Sequence, residues 1–198
     1  MKRIIASIVF ITIITSGMSF ANPYDVEINA SRSGLEARFD VTHAVDQGTL
    51  TTGIGYVYED NHDDYRIGDV KLTLGDEILT PGLRCDLGFK GLIGEVEKNH
   101  KDGDLMAIGF LLSAAYKTPK TISPMPLEFS ASVCTAPDPL CFWDSERYLE
   151  TRASVACYVV GNGAIFLGYR HIKVRIDDEP KNWDMSDKAV FFGFRLGF

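Results

Sequence analysis

The sequence predicts an all-β chain: a transmembrane antiparallel up-and-down β-barrel of ten strands, or of eight if the short first hairpin stays out of the wall. Three observations carry this. Apolar and polar residues alternate with period two in segment after segment. Past the first residues, no stretch reaches the 18 consecutive apolar residues that would mark a spanning helix. The polar faces of the alternating segments hold small residues and charges of both signs, which suit a narrow lumen better than a solvated surface.

The chain has 198 residues, 45% hydrophobic and 24% charged, and fits one domain. Met1-Lys2-Arg3 is a basic start, residues 4–14 are apolar except Ser7 and Thr12, and Ser19-Phe20-Ala21 puts small residues at −3 and −1. This predicts a signal peptide over 1–21, cut after Ala21, and a barrel domain over 22–198. The apolar run is short of the ~20 residues of a membrane anchor. The net charge of −7 becomes −9 once Lys2 and Arg3 leave, with 18 basic against 27 acidic side chains. That balance argues against nucleic acid as a partner and against docking of the mature chain through a polybasic patch.

Ten alternating segments follow in order. Residues 24–31 set Tyr24, Val26 and Ile28 against Asp25, Glu27 and Asn29. After the turn at 31–34, residues 35–41 set Leu35, Phe39 and Val41 against Glu36, Arg38 and Asp40. Residues 49–59 carry Leu50, Ile54, Tyr56 and Tyr58 opposite Thr51, Gly53 and Gly55. In 65–74, Val70, Leu72 and Leu74 oppose Asp69, Lys71 and Thr73; in 83–95, Leu83, Cys85, Leu87 and Phe89 oppose Arg84, Asp86, Gly88 and Lys90. Residues 105–116 alternate Met106, Ile108, Phe110 and Leu112 with Gly109, Leu111 and Ser113. Residues 127–134 set Leu127, Phe129 and Val133 against Glu128, Ser130 and Ser132; residues 149–159 set Leu149, Val155 and Val159 against Glu150, Arg152 and Ser154. Residues 164–176 are less regular, with Ile165, Leu167 and Tyr169 opposite Gly168 and Arg170. Residues 190–198 set Val190, Phe192, Phe194, Leu196 and Phe198 against Gly193, Arg195 and Gly197.

Alternation alone fits a soluble barrel with its apolar set inward, or a membrane barrel with that set toward lipid. The small residues favour the second, and so do the charges Glu36, Arg38, Asp69, Lys71, Arg84, Asp86, Lys90, Glu128, Glu150, Arg152 and Arg195. Turned inward, these can pair as a lumen network, and left unpaired they would be costly. The lipid-facing sets have no charge mid-segment, where a Lys or Arg costs ~2–4 kcal/mol. One segment departs from this: past Tyr169 the outward positions are His171, Lys173 and Arg175, which must lie above the hydrocarbon or follow a register shift. With the last strand running toward the periplasm, the outer connections are 60–64, 98–103, 136–145 and 177–188. The inner ones are 43–48, 76–82, 118–125 and 160–163, so the two longest are outer.

Export places Cys85, Cys134, Cys141 and Cys157 in a disulfide-permissive space. Three pairings exist, and Cys134–Cys141 could close the Pro-broken loop between them. No spacing suggests a metal site, and no cofactor is implied. The ending Gly193-Phe194-Arg195-Leu196-Gly197-Phe198 resembles the C-terminal signal by which outer-membrane barrels are recognised by the barrel-assembly machinery. Gly193, Leu196 and Phe198 match its glycine and hydrophobic positions, while Phe191 stands where a polar residue is usual.

The mature chain also resembles the YfaZ family of outer-membrane proteins. The likeness rests on Gly-Ile-Gly-Tyr-Val-Tyr-Glu-Asp at 53–60, Gly-Tyr-Arg-His-Ile at 168–172 with the acidic loop after it, and the Gly-Phe-Arg-Leu-Gly-Phe ending. It implies a fold and a bacterial outer-membrane location, with outer-membrane lipid and lipopolysaccharide as partners. It implies no chemistry.

No hydrolase motif is present, so the chain is not read as an enzyme. The remaining enzyme reading is a rim cluster of Asp60, His62, Asp63, Asp64, His100, His171, Asp177 and Asp178 acting by general base catalysis. The same acidic loops could hold divalent cations, although Asp60-Asn61-His62-Asp63-Asp64 lacks the Gly and distal Glu of a calcium loop. Tyr56, Tyr58, Tyr116, Tyr169, Trp143 and Trp183 are candidates for an interfacial girdle or, for the tryptophans, partner contacts. The leading function is a narrow channel for small solutes or ions, with Arg84, Lys90, Arg152 and Arg195 setting selectivity. A filled structural or surface-interaction barrel is the alternative, and a soluble periplasmic lipocalin-like barrel the third reading.

Overall fold

A computed structural model describes residues 23–46, 48–60, 63–98, 101–119, 126–177 and 182–198. The expected leader and its cleavage site lie outside the described residues. The chain forms β1 (Tyr24–Ala30), β2 (Gly34–Val45), β3 (Gly48–Glu59), β4 (Asp63–Glu77), β5 (Leu83–Lys98) and β6 (Lys101–Lys117). There follow β7 (Leu127–Ala136), β8 (Cys141–Trp143), β9 (Ser145–Val160), β10 (Gly163–Ile176) and β11 (Trp183–Gly197). Successive wall strands pair antiparallel, and β1 pairs with both β2 and β11, so the short first hairpin is part of the wall and closes the ring. The end where Tyr24 and Phe198 exchange backbone hydrogen bonds of 3.1 and 2.8 Å is called the near end below.

The barrel has ten wall strands because β7 and β8 are two pieces of one. Both run antiparallel to β6, β7 on Phe110–Lys117 and β8 on Leu105–Ala107. Between Thr135, opposite Phe110, and Cys141, opposite Ala107, the broken strand carries extra residues. Pro137 and Pro139 lie among them and cannot donate to a ladder, so they bulge out as a 3-10 turn over Asp138–Leu140. The outer loop expected over 136–145 is therefore a correction: only Asp144 separates β8 from β9.

Strands also run farther at the far end than the sequence alternation indicates. The β10–β11 connection shrinks from the expected 177–188 to 177–182, because Trp183–Ala189 joins β11. The longest connection is thus the near-end one between Lys117 and Leu127, which corrects the expected order of loop lengths.

One strand shows why. Along β10, Ile165, Leu167 and Tyr169 are exposed while Phe166, Gly168 and Arg170 are buried. Above Tyr169 the outward positions become His171, Lys173 and Arg175, and the buried ones Ile172, Val174 and Ile176. The register stays continuous against β9 from Ala164 to Arg175 and against β11 throughout, so no bulge causes the change. The polarity inverts instead. β11 does the same, from Asp184, Ser186 and Lys188 outside with Met185 inside, to Val190, Phe192 and Phe194 outside with Arg195 inside. So do β4, β5 and β6, where Arg66, Glu95, Glu97, Asp102 and Asp104 point outward beside inward Tyr65, Ile67, Val96 and Leu105.

The molecule is thus two stacked zones on one set of strands. The near zone wears an apolar belt: Val70 is 63% exposed, Leu87 64%, Phe110 46% and Phe192 57%. The far zone projects beyond it as a polar collar around a packed apolar core, with Tyr65, Leu105, Tyr148, Val174, Ile176 and Met185 at 0–1% exposure. Trp183, a girdle or partner candidate, packs partly buried against this core.

Inward glycines let the walls close on large lumen side chains. A Cβ on Gly55 would meet the Asp69 carboxylate, and one on Gly109 the Cys134 sulfur. At Gly88 the obstacle is backbone, the Leu72 carbonyl and the Thr73 Cα, which cannot swing aside. Gly88→Ala is expected to cost about 1–3 kcal/mol by overpacking, measured by urea titration of the refolded barrel.

Candidate functional site

The near zone encloses a polar lumen whose charged side chains come from nearly every strand. Its centre is Glu36 on β2, 2% exposed. Arg38, two residues on and therefore on the same face, donates through Nε to Glu36 Oε1. Arg152 on β9 and Arg170 on β10 stand directly opposite each other in the ladder. Two like charges so placed repel, and Glu36 offsets this by accepting from Arg152 at 2.5 Å and from Arg170 at 2.9 Å. Arg170 also reaches Glu59 at 3.1 Å and the Tyr65 hydroxyl oxygen at 2.9 Å. Tyr65 in turn donates to Asp187 at 2.8 Å, while Ser31 and Ser33 donate to Glu59 at 2.9 and 2.6 Å.

Around this centre are two further groups. Glu150 accepts from Lys90 at 2.7 Å and Tyr148 at 2.8 Å, with Arg38 at 3.4 Å and Asp69 3.5 Å from the same lysine. Glu27 accepts from Arg152 Nη2, from Arg195 at 3.2 Å and from Asn29 at 3.1 Å. Arg195 bridges on to Glu128 at 2.8 Å, which also takes the Tyr158 hydroxyl at 2.6 Å. Toward the near end lie Lys71 on Asp40 at 2.8 Å and Arg84 on Asp86 at 2.6 Å. The Arg152 guanidinium also lies 4.4 Å above the Phe191 ring. Each lumen cation therefore has a carboxylate partner, which is what a charge removed from water requires.

The structure places all the lumen charges named from the sequence on the inner wall, most of them lining one cavity of about 350 Å³. The cavity extends from the near end up to Lys90, Glu150 and Cys134 and stops beneath the apolar core. Alternation put Arg170, Glu27 and Asp40 on the polar faces, but the lumen set named from the sequence did not include them. Glu59, Tyr65, Tyr148 and Asp187 were hidden for another reason. They fall at or beyond the segment ends, where the polarity inverts.

The rim residues that are described do not assemble into one site. Asp60 and Asp64 lie on the outer face beside Glu97 and Asp102, whereas His171 is on β10 with its Nε2 3.1 Å from the Ser186 hydroxyl. His62, His100, Asp178 and the Asp63 side chain lie outside the described residues. Among the described residues, no group of three His, Cys, Asp or Glu is placed to hold a metal ion. The Cys134–Cys141 disulfide is not formed: all four cysteines are free thiols. Cys134 points into the lumen against Gly109, and Cys141 donates to the Ala136 carbonyl at 3.5 Å. Of the assembly-signal positions, Leu196 and Phe198 are exposed, and Gly193 is where a Cβ would meet Asn29 and Phe166. Phe191, in the usually polar position, is buried beneath Arg152.

In the collar, Asp184 holds Arg175 at 2.9 Å and Lys173 at 3.3 Å. The Arg175 hydrogen bond, then that of Lys173, keeps the Asp184 carboxyl below the usual carboxylate range. A lowered carboxyl contributes stability above its unfolded pKa and loses it as pH falls through the folded value. The window lies below about pH 4. With the group more than a third exposed the contribution is small and salt-screened. Asp184→Asn is expected to remove this increment of acid sensitivity, read from urea titrations at neutral and acid pH.

No family model and no curated protein matches the chain. Among solved structures it is similar to the NanC porin, with 10% identity over 89% of this chain and 99% of that one, at a TM-score of 0.43. A KdgM porin in complex with disordered oligogalacturonate gives 8% identity, 89% and 99% coverage and 0.42; Neisserial surface protein A gives 12%, 89% and 96%, and 0.39. Likeness of this degree carries no inference about what this barrel binds or conducts.

Proposed function

We propose that this chain is an integral barrel of the bacterial outer membrane, near end toward the periplasm, with a closed lumen and a surface-presenting or structural role. The observation that carries the closed lumen is the apolar core across the far zone, where six large side chains are 0–1% exposed. A solute crossing the barrel would have to part that core and the ion-pair network beneath it. Membrane insertion is supported by the outward apolar belt: a soluble lipocalin-like barrel would leave those side chains in water. Export after cleavage at Ala21, assembly through Gly193, Leu196 and Phe198, membership of the YfaZ family and contact with lipopolysaccharide belong to the same reading. It includes no enzymatic role.

A narrow channel is the second reading, favoured by the 350 Å³ cavity and its lining of Arg84, Lys90, Arg152 and Arg195. Planar-bilayer recording separates the two. The closed barrel is expected to give no discrete steps at any holding potential; reproducible steps that change selectivity in Arg84→Glu would establish the channel. Fractionation tests the location, and extraction from cells without detergent would end the membrane reading.

A further inference from the structure

Outward charges of the collar are unevenly distributed by sign. On β3 to β6 the outer face carries Asp60, Asp64, Glu95, Glu97, Asp102 and Asp104 around Arg66. Several of these acids stand directly opposite one another: Asp64 on Glu97, Glu97 on Asp102, Glu95 on Asp104. On β9 to β11, across the barrel, bases outnumber acids on the outer face: Arg147, His171, Lys173, Arg175 and Lys188 stand there with Asp184 and Glu146. Lys188 on β11 lies opposite His171 on β10, and Arg175 on β10 lies opposite Arg147 on β9, with Lys173 between the two rows.

A second observation sets where this strip meets the bilayer. The lipid-facing ladder of β10 has three large apolar side chains, Ile165, Leu167 and Tyr169, and His171 follows at once. On β6 the ladder has Met106, Ile108, Phe110 and Leu112, with Ala114 continuing it. The basic side chains of β10 and β11 thus start immediately at the edge of the hydrocarbon, where lipid phosphates lie. Asp184 engages Lys173 and Arg175, and Glu146 lies 3.9 Å from Arg175, but Lys188 and Arg147 make no ion pair among the described residues. Lys173 is 46% exposed and Arg175 40%. Long basic side chains can lay their methylenes on the belt and present the charge at the phosphate level.

We infer that the β9–β11 strip, centred on Lys173 and Lys188, is a docking site for the phosphate groups of anionic membrane lipids. The acidic β3–β6 face repels the same lipids, so the barrel is surrounded by an uneven lipid shell. This rests on the membrane reading above and adds a specific place and headgroup chemistry to it.

The test reconstitutes the full chain into vesicles of equimolar phosphatidylglycerol and phosphatidylcholine, extracts it gently, and counts retained lipids by native mass spectrometry. Wild type is expected to retain phosphatidylglycerol about fivefold over phosphatidylcholine, the factor that one basic side chain at a lipid surface supplies. The double variant Lys173→Glu, Lys188→Glu is expected to bring the ratio to about one while still folding and inserting. Glu97→Lys, on the opposite face, should leave the wild-type ratio or raise it. A wild-type ratio near one in an inserted barrel overturns the inference and leaves the membrane reading standing. A barrel that does not enter vesicles overturns both. If the strip instead holds the acidic face of a second copy, lipid enrichment is absent and a salt-sensitive oligomer appears that Glu97→Lys disperses.

Discussion

Replacing Glu36 by alanine is expected to destabilise the barrel by about 3–5 kcal/mol, enough to abolish its folded band on unheated gels. The size follows from what the carboxylate holds. It accepts from Arg38, Arg152 and Arg170, all on the inner wall, and two of these guanidiniums face each other across adjacent strands. Without Glu36 the Arg152–Arg170 repulsion loses its central counter-charge in a site from which water is largely excluded. Removing one of the cations as well should recover part of the loss, so Glu36→Ala with Arg170→Met should be more stable than the sum of the two single variants. Strict additivity in that cycle would show that the three cations do not act through Glu36.

Val174→Asp is expected to cost roughly 4 kcal/mol or more, and its neighbour Lys173→Val within about 1 kcal/mol of wild type. Val174 is 0% exposed inside the far core, so a carboxylate there is buried without a designed partner. Lys173 stands in the outward collar, where its ion pair with Asp184 is exposed. A membrane barrel of uniform polarity, greasy outside and charged inside over its full height, predicts the reverse order: an acid at 174 would be tolerated and Val at 173 would stabilise. Urea titrations of the two variants therefore test the polarity inversion directly. A stable Val174→Asp barrel would remove the far core, and with it the closed lumen.

How much of this was legible beforehand differs from residue to residue. The inward parity of Glu36, Lys90, Glu150 and Arg152 could be read directly, because successive strand side chains point to opposite faces and a few residues suffice to show the phase. The basic run His171, Lys173 and Arg175 stood out as an anomaly for the same reason, with two explanations open. The structure decides between them: the strand continues in register past the belt. Pro137 and Pro139 signalled a break but not its kind, and what looked like a loop is a bulge in a continuing wall. Arg170 was in phase but gave no sign of lying beside Arg152, since cross-strand neighbours are set by ring closure and register.

The amino-acid order by itself determined which side chains of each strand share a face, that both signs of charge share the polar face, and that the apolar set of each regular segment forms an unbroken ladder. Those are local properties of a period-two backbone. Only the tertiary structure decided that this ladder points outward, at which height the apolar set turns from outward-facing to core-forming, and which acid meets which base across the lumen. That height depends on where each strand stands in the closed ring. The pairs join residues such as Glu36 and Arg170, or Glu27 and Arg195, that are distant in sequence and brought into contact by the closure of β1 on β11.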